Sequence, residues 1–286
     1  MNLKIIDKII QQALDEDLHD GDITTNILIP SFLKSEAVIT VKEPAIICGL
    51  PFARRVFQKL DRNIQLQFLV REGSSVKKGT TIILLRGKTR ALLTGERVAL
   101  NFLSYLSSIA TKTHQFVEKV RPFNVKILDT RKTTPMMRIF ERYAVGMGGG
   151  VNHRPNLNAM VMIKDNHHAA CGHSESLEEM VKRIQKKTNK AVEVEVENIK
   201  QFKEAVAASV DIILLDNMSP AKIAEAVRWN RQQKITPKPL LEASGGIHLD
   251  NVVAYAKTGV DRISIGELTH SRKAIDISLD LIKNIK

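Results

Sequence analysis

The chain has 286 residues, of which 43% are hydrophobic, so it can bury a core of barrel size and shows no sign of extended disorder. Its formal net charge of +12 favours acidic partners. Aromatic residues make up only 5%, and no basic tail or aromatic-interleaved basic run is present, so we expect no nucleic-acid partner.

The first 120 residues mix helical and strand-like patterns. The N-terminal segment combines charges with an amphipathic pattern, which excludes a signal peptide or membrane span, and we expect no membrane partner. Segment 70–87 is interpreted as an ordinary β-hairpin. The predicted elements are a helix over 2–14, strands near 36–42, 64–71 and 80–86, a helix near 51–60, and a long helix from about 91 to 120.

From about residue 125 onward, short apolar runs alternate with amphipathic helices. Ser176 and Glu179 form a capping box, Ser219-Pro220 marks a second helix start, and Gly259 marks a helix end. This alternation predicts parallel strands covered on both faces, in an open or irregular βα barrel. The predicted strands are 125–132, 160–168, 191–198, 211–217, 240–247 and 262–268.

Each of these apolar runs ends in polar groups. The C-terminal strand ends of a βα barrel share one face, and that face carries the active site. We therefore expect these groups to converge. They are Asp129–Lys132, Lys164–Asn166, Glu195 with Glu197, Asp216-Asn217, Glu242–Gly246 and Gly266-Glu267.

The basic groups near these ends predict a pocket for a small, multiply charged anion, because Arg presents a planar fork of donors and Lys a mobile charge. They are Arg131, Lys132, His153, Arg154 and Lys164. Glycines follow the last two strands, in Ser244-Gly245-Gly246 and Ile265-Gly266, where barrels commonly bind phosphate through backbone N–H groups.

Three features leave alternatives open. Lys164 at a strand end could be a Schiff-base lysine. Glu195 and Asp216 could be an acid/base pair, or could hold Mg²⁺ through water while binding sugar hydroxyls. A zinc reading of one crowded loop cluster is disfavoured, since zinc sites usually draw on two spaced ligand pairs; the cluster is His167, His168, Cys171 and His173. Cys48 and Cys171 form no C-x-x-C pair, which indicates a reducing, cytoplasmic setting.

Motifs spread in order along nearly the whole chain carry a family resemblance. The chain resembles the quinolinate phosphoribosyltransferases, also called carboxylating nicotinate-nucleotide pyrophosphorylases. The motifs are EDLHDGDITT (16–25), GERVALNFLSYLSSIAT (95–111), DTRKTTP (129–135), GGGVNHR (148–154), IKDNH (163–167), EVEVEN (193–198), LLDNM (214–218), LEASGGI (241–247) and ISIGELTHS (263–271).

The resemblance implies an α/β sandwich domain over 1–110, a βα barrel with the active site over 111–270, and a C-terminal helix over 271–286 that could return to the first domain. It implies a homodimer with shared active sites, and leaves a higher oligomer open. The implied reaction joins quinolinate to phosphoribosyl pyrophosphate (PRPP) with Mg²⁺, giving nicotinate mononucleotide, pyrophosphate and CO₂ for NAD synthesis.

The resemblance also implies roles for individual residues. Lys132, Glu195 and Asp216 are the expected catalytic residues, and the two carboxylates would hold Mg²⁺ through water. The residues expected at quinolinate are Thr130, Arg131, Arg154 and Lys164, with Arg97 from a partner chain. Those expected at PRPP and its phosphates are Lys132, His153, Ser244, Gly245, Gly246, Gly266 and His270.

Small departures from the family pattern put fine specificity in question; they are Met136, Pro155, Asn156 and Glu267. Two rival readings remain. One is a relative of the same fold acting on another acid, and the other is a non-catalytic basic protein that binds polyanions.

Overall fold

The computed structural model describes residues 2–171 and 175–285. The helices α1–α11 span Leu3–Leu18, Ile23–Leu28, Leu50–Leu60, Thr89–Val120, Arg138–Met147, Asp165–Cys171, Leu177–Gln185, Ile199–Ala207, Pro220–Gln232, Val252–Ala256 and Glu267–His270. The strands β1–β12 span Lys34–Val41, Ala45–Ile46, Gln65–Phe68, Ser75–Val76, Thr81–Lys88, Lys126–Leu128, Val161–Ile163, Val192–Val196, Ile212–Asp216, Leu240–Ser244, Arg262–Ser264 and Ile277–Ile285. No helix among the described residues is long and apolar enough to cross a membrane.

The chain divides into two compact units that do not follow simple sequence blocks. The first contains the described parts of Met1–His114, Thr134–Gly149 and Ser271–Lys286, and the second contains Gln115–Thr133 and Gly150–His270. In the sequence, the first division falls within α4. The segment that carries α5 therefore belongs to the first unit, whereas the sequence analysis had assigned it to the barrel.

The first unit is built on a four-stranded antiparallel sheet of order β12-β1-β5-β3. Helix α1 begins where the Asn2 side chain accepts a hydrogen bond from the Ile5 N–H group. Its apolar residues recur every three or four positions, which gives it one buried face. That face consists of Ile6, Ile9, Ile10 and Leu14.

The C-terminal segment corrects one prediction. We expected a helix over 271–286, but the structure forms β12, which pairs with β1 along its whole length. The physical reason is visible in the sequence: Ile275, Ile277 and Leu279 are buried, and polar residues alternate with them. Alternation with a period of two is the strand pattern.

The predicted hairpin over 70–87 is also wrong. Strand β4 pairs with β2, whereas β5 pairs with β1 and β3. The two strands of the proposed hairpin therefore lie in different sheets. The short β2–β4 pair was not predicted, because two-residue strands carry too few residues to show a period.

The second unit is an open βα barrel, as the alternation of strands and helices predicts. Its six parallel strands are ordered β6-β11-β10-β9-β8-β7, and all six coincide with predicted apolar runs. In the described residues β6 and β7 do not pair, and a single bridge joins Leu128 to Val151 at this gap. The predicted helix signals are confirmed: the Ser176–Glu179 capping box forms, and Ser219 caps the helix that Pro220 begins.

Candidate active site

The C-terminal ends of the barrel strands surround a cavity of about 740 Å³. All of the predicted site residues except Arg97 line it. They are Thr130, Arg131, Lys132, His153, Arg154, Lys164, Glu195, Asp216, Ser244, Gly245, Gly246, Gly266 and His270. Each of the six strand ends contributes at least one residue to this cavity, as predicted, whereas Asn166, Glu197 and Asn217 do not line it.

One side of the cavity is strongly cationic. Arg131 and Lys132 follow β6, and Arg154 lies in the loop before β7, where its guanidinium donates to the Met160 carbonyl at 3.1 Å. Burial lowers the pKa of Arg154, and the nearby charge of Arg131 lowers it further. The two guanidinium groups are therefore close enough to repel each other, and a bound anion would relieve that repulsion.

Two carboxylates face the same cavity from neighbouring strands. Glu195 lies on β8 and forms an ion pair with Lys164, while Asp216 ends β9. Burial raises the pKa of Asp216, and the charge of Glu195 adds to this effect. A cation bound beside Asp216 would favour its ionised form.

A glycine turn follows β10. Gly245 and Gly246 have φ angles of +91° and +59°, in the left-handed region that glycine adopts readily. The Asn217 N–H donates to the Ser244 carbonyl at 2.9 Å, which ties this turn to the end of β9. Backbone N–H groups in such turns form a concave site for anions.

Gly266 follows β11 and has close neighbours. A Cβ atom there would lie 3.0 Å from His270 Nε2 and 3.1 Å from Lys132 Cδ. The Thr269 hydroxyl donates to the Lys132 carbonyl at 2.6 Å, which joins the short helix α11 to the loop after β6. Gly266, His270 and Lys132 therefore meet at one end of the cavity.

A buried group of ionisable residues adjoins the cavity, and two of its members, Glu193 and Arg262, were not predicted from the sequence. His153 Nε2 lies 3.3 Å from Glu193 Oε2 and 3.3 Å from Glu242 Oε1, and Arg262 Nε lies 2.9 Å from Glu242 Oε2. Burial lowers the pKa of His153, but the two carboxylates outweigh it and raise the pKa. Burial raises the pKa of Glu193. The signal was present in EVEVE, because strand alternation places Glu193 on the same face as Glu195.

Arg97 is the predicted site residue that does not line this cavity. It is an exposed residue of α4 in the first unit. The apolar residues near it in the sequence predict a surface that a partner could cover, with burial inside the same chain as the alternative. The alternative holds for most of them, since Val98, Leu100, Phe102, Leu103 and Leu106 are buried in the single chain.

The cluster that suggested zinc lies on α6, where His167, His168 and Cys171 are partly or fully exposed. His167 Nδ1 accepts a hydrogen bond from the Lys164 N–H at 3.0 Å. His173 lies outside the described residues. Within residues 2–171 and 175–285, the group whose ligand atoms could jointly hold a metal ion is His153, Glu193 and Glu242.

Comparison with known proteins assigns a family to this geometry. Sequence profiles match residues 22–107 as "Quinolinate phosphoribosyl transferase, N-terminal domain" and residues 109–280 as "Quinolinate phosphoribosyl transferase, C-terminal domain". A probable carboxylating nicotinate-nucleotide pyrophosphorylase of Methanocaldococcus jannaschii is 41% identical over 280 residues, which cover 96% of this chain and 97% of the relative. A decarboxylating quinolinate phosphoribosyltransferase of Nicotiana tabacum is 38% identical, covering 96% of this chain and 81% of the relative. The solved nicotinate-nucleotide pyrophosphorylase of Francisella tularensis superposes with a TM-score of 0.91 at 39% identity, covering 99% of this chain and 98% of that structure.

Proposed function

The chain belongs to the quinolinate phosphoribosyltransferase family, and we propose that it transfers the phosphoribosyl group of PRPP to quinolinate with loss of CO₂. The products are nicotinate mononucleotide, pyrophosphate and CO₂, a step of NAD synthesis. The observation that carries the proposal is the single cavity that combines a cationic wall, a carboxylate pair and a glycine turn. The cationic wall suits the carboxylates of quinolinate, the glycine turn suits the 5′-phosphate of PRPP, and the carboxylate pair suits its ribose hydroxyls and Mg²⁺.

Quinolinate is a pyridine with adjacent carboxylates, so its site requires several positive charges held close together. Arg131 and Arg154 supply two guanidinium groups whose mutual repulsion a dianion would relieve. Lys164 directly follows β7, lines the same cavity and could bind the same substrate once it leaves Glu195. Thr130 adds a hydroxyl beside these cations.

The glycine turn suits the 5′-phosphate of PRPP. The residues Ser244–Gly246 and Gly266 expose backbone N–H groups, because glycine leaves the backbone uncovered. His270 and Lys132 meet Gly266 at this end of the cavity. In this position Lys132 would face both the phosphate and the pyrophosphate that leaves.

Glu195 and Asp216 fit a magnesium ion. Carboxylate oxygens are preferred ligands of Mg²⁺, which usually keeps several waters and binds substrate phosphates besides one or two carboxylates. Burial, and after it the charge of Glu195, raise the pKa of Asp216, and a bound cation would oppose both effects. When bound, Mg²⁺ would neutralise charge that develops on the departing pyrophosphate.

The chemistry follows from this placement. The pyridine nitrogen forms a bond to C1 of the ribose as the bond from C1 to the pyrophosphate oxygen breaks. Arg131, Arg154 and Lys164 orient the ring for that attack, while Glu195 and Asp216 hold the ribose hydroxyls. The carboxylate next to the alkylated nitrogen then leaves as CO₂, and the positive ring nitrogen stabilises the electron pair that remains until a proton replaces it.

We further propose a homodimer in which Arg97 enters the partner's cavity. The apolar residues of α4 no longer support this, because most are buried within the chain. Support comes instead from an exposed apolar patch made of Ile23, Ile27, Leu28 and Phe32, which are 69–81% exposed. Asp22 accepts a hydrogen bond from the Thr94 hydroxyl at 3.2 Å, so this patch adjoins the turn of α4 that precedes Arg97. Exposed patches of this kind mark interfaces.

One substrate panel tests the reaction. The purified protein is incubated with PRPP, Mg²⁺ and either quinolinate, nicotinate, nicotinamide or phthalate, and pyrophosphate and CO₂ release are measured. We expect turnover of quinolinate and a preference over nicotinate of roughly 10⁴ or more, because nicotinate lacks the second carboxylate that these cations would bind. Equal turnover of nicotinate, or turnover of another acid alone, would overturn the substrate assignment. Salt-sensitive binding of any nucleic acid without turnover would favour a polyanion-binding protein.

A further inference from the structure

Four ionisable side chains meet inside the barrel beside the cavity. The side chains of Glu193 and Glu242 are 0% exposed, that of His153 is 6% exposed, and that of Arg262 is 16% exposed. A buried charge costs several kcal/mol unless it is paired. The contacts that these side chains make with one another are therefore needed to offset the cost of burying them.

The contacts divide the group into two pairs. Arg262 Nε lies 2.9 Å from Glu242 Oε2, so the guanidinium balances this carboxylate. Glu193 is paired with His153, whose Nε2 lies 3.3 Å from Glu193 Oε2 and 3.3 Å from Glu242 Oε1. The imidazole is thus held between two carboxylates that belong to different strands, β8 and β10.

His153 is also held at its other polar atoms. Its backbone N–H donates to Asp129 Oδ1 at 2.6 Å, and its Nδ1 accepts from the Arg154 N–H at 2.7 Å. Arg154 is the next residue and lines the cationic wall of the cavity. The buried carboxylates therefore fix the short stretch of backbone from which Arg154 projects.

We propose that Glu193 and Glu242 are positioning residues, which hold His153 between two strands and thereby place Arg154 for binding the dicarboxylate substrate. The proposal rests on the proposed function, and it assigns His153 a scaffold role rather than contact with pyrophosphate. Both ring nitrogens of His153 are engaged with protein groups, which is the arrangement that such a role requires.

A metal ion is the competing occupant, since one imidazole and two carboxylates can ligate a cation. Arg262 argues against it. The Arg262 guanidinium lies 2.9 Å from Glu242, which is one of the three possible ligands. Its permanent positive charge would repel a divalent cation bound there.

The central experiment compares Glu193→Gln and Glu242→Gln with a matched control. We expect each variant to raise the KM for quinolinate roughly tenfold or more, with the KM for PRPP within about twofold, because displacing a binding group by an ångström is costly. The control is Asp211→Asn, which removes a carboxylate that accepts from the Val192 N–H at the N-terminal end of β8, the end away from the cavity. It should alter stability without changing the KM for quinolinate. A wild-type KM for quinolinate in both glutamine variants, or an equal rise in the control, would overturn the proposal.

A double variant addresses the case in which a single substitution fails to fold. His153→Gln combined with Glu193→Gln removes both members of one pair and leaves the Glu242–Arg262 pair balanced. If Glu193 acts through His153, the double variant should show the same KM for quinolinate as His153→Gln alone. A further rise in the double variant would mean that Glu193 acts independently of His153.

Two measurements do not depend on the substrate. The ring nitrogen NMR signals of His153 in the ligand-free protein should shift in Glu193→Gln and Glu242→Gln, and should not shift in Asp211→Asn. Unchanged signals would overturn the positioning role even if the wild type converts quinolinate. Stoichiometric metal that copurifies with the wild type and is lost in Glu193→Gln would replace the positioning role with a metal site.

Discussion

A Cβ atom on Gly245 would lie 2.1 Å from Asn217 Oδ1 and 2.8 Å from the backbone nitrogen of Asn217. Asn217 in turn adopts a left-handed conformation with φ +53° and donates from Nδ2 to Asp216 Oδ2 at 2.6 Å. The glycine turn and the carboxylate of Asp216 are therefore parts of one fitted arrangement. Any side chain at Gly245 must displace backbone, because one of its close neighbours is a main-chain atom.

The first prediction is that Gly245→Ala reduces kcat/KM by about 10²-fold or more, because a shift of Asn217 misplaces Asp216 and the phosphate turn together. The control is Gly79→Ala. Gly79 has a similar φ of +82° but no atom within 4 Å of its Cβ position, so it tests backbone strain alone. Steady-state kinetics of both variants give kcat/KM, and thermal unfolding shows whether either variant has lost stability. Equal activity of the two variants would mean that Gly245 has no role in the active site beyond its backbone conformation.

The second prediction concerns the cationic wall. Lys164→Ala and Arg131→Ala should each lose about 2–4 kcal/mol of transition-state stabilisation, roughly 30- to 1000-fold in kcat/KM. Folding should be retained, since both residues line an open cavity. The control is Lys182→Ala, which removes a lysine from an exposed ion pair with Glu178 on α7. Wild-type kcat/KM for quinolinate in the Lys164 or Arg131 variant would move the dicarboxylate site elsewhere.

The third prediction is a requirement for Mg²⁺. EDTA should abolish turnover, and Mg²⁺ added in excess should restore it, because two carboxylates alone provide only part of a coordination shell. Asp216→Asn should raise the Mg²⁺ concentration needed for half-maximal activity. Zinc should neither copurify nor restore activity. Stoichiometric zinc that disappears on substitution of His167 or Cys171 would restore the metal reading of that cluster.

The fourth prediction tests whether sites are shared between chains. Arg97→Ala and Lys132→Ala should each be inactive alone. A mixed dimer has one site with both lesions and one with neither, so joint refolding with random pairing should return about a quarter of wild-type activity. Mass spectrometry verifies that mixed dimers form. Mixed dimers without recovered activity would mean that Arg97 serves its own chain's site, or none.

The fifth prediction follows from an ion triad in the sheet of the first unit. Hydrogen bonds from Arg86 and Lys283 on the flanking strands hold the pKa of Glu36 below its ordinary value of 4.5. A depressed carboxyl pKa stabilises the fold above the unfolded-state pKa, and this contribution is lost as pH falls through the folded-state pKa. Glu36→Gln should therefore lower the Tm at pH 7, and the difference from wild type should shrink below about pH 4.5. Glu178→Gln is the exposed control. A Tm difference that is constant from pH 7 to pH 3 would exclude the ion triad as its cause.

The barrel was predictable because its strands are buried on both faces and read as continuous apolar runs. The same property brought Lys164, Glu195 and Asp216 to one mouth, since the ends of parallel strands share an edge. The contacts inside the barrel were harder to predict. Whether Glu193 and Glu242 meet at His153 depends on which strands are neighbours, and sequence periodicity carries no information about sheet order.

The first unit was less predictable for a related reason. It draws on three separate segments of the chain, and local patterns do not reveal that 134–149 and 271–286 join 1–114. Its sheet contains the alternating strand β12, whose period could have been recognised. The family resemblance suggested that the C-terminal segment returns to this unit but assigned it the wrong secondary structure.

The position of β12 has a consequence for how the protein is made. Strand β1 is synthesised early, yet one of its two hydrogen-bonding neighbours, β12, is synthesised only after all six barrel strands. Until then, one edge of β1 has its backbone groups open to water and to other chains, a condition that favours aggregation. The barrel strands are complete by residue 264, before β12 is made. This edge of β1 therefore stays open while the barrel strands are synthesised, and the N-terminal sheet closes only when β12 is available to pair.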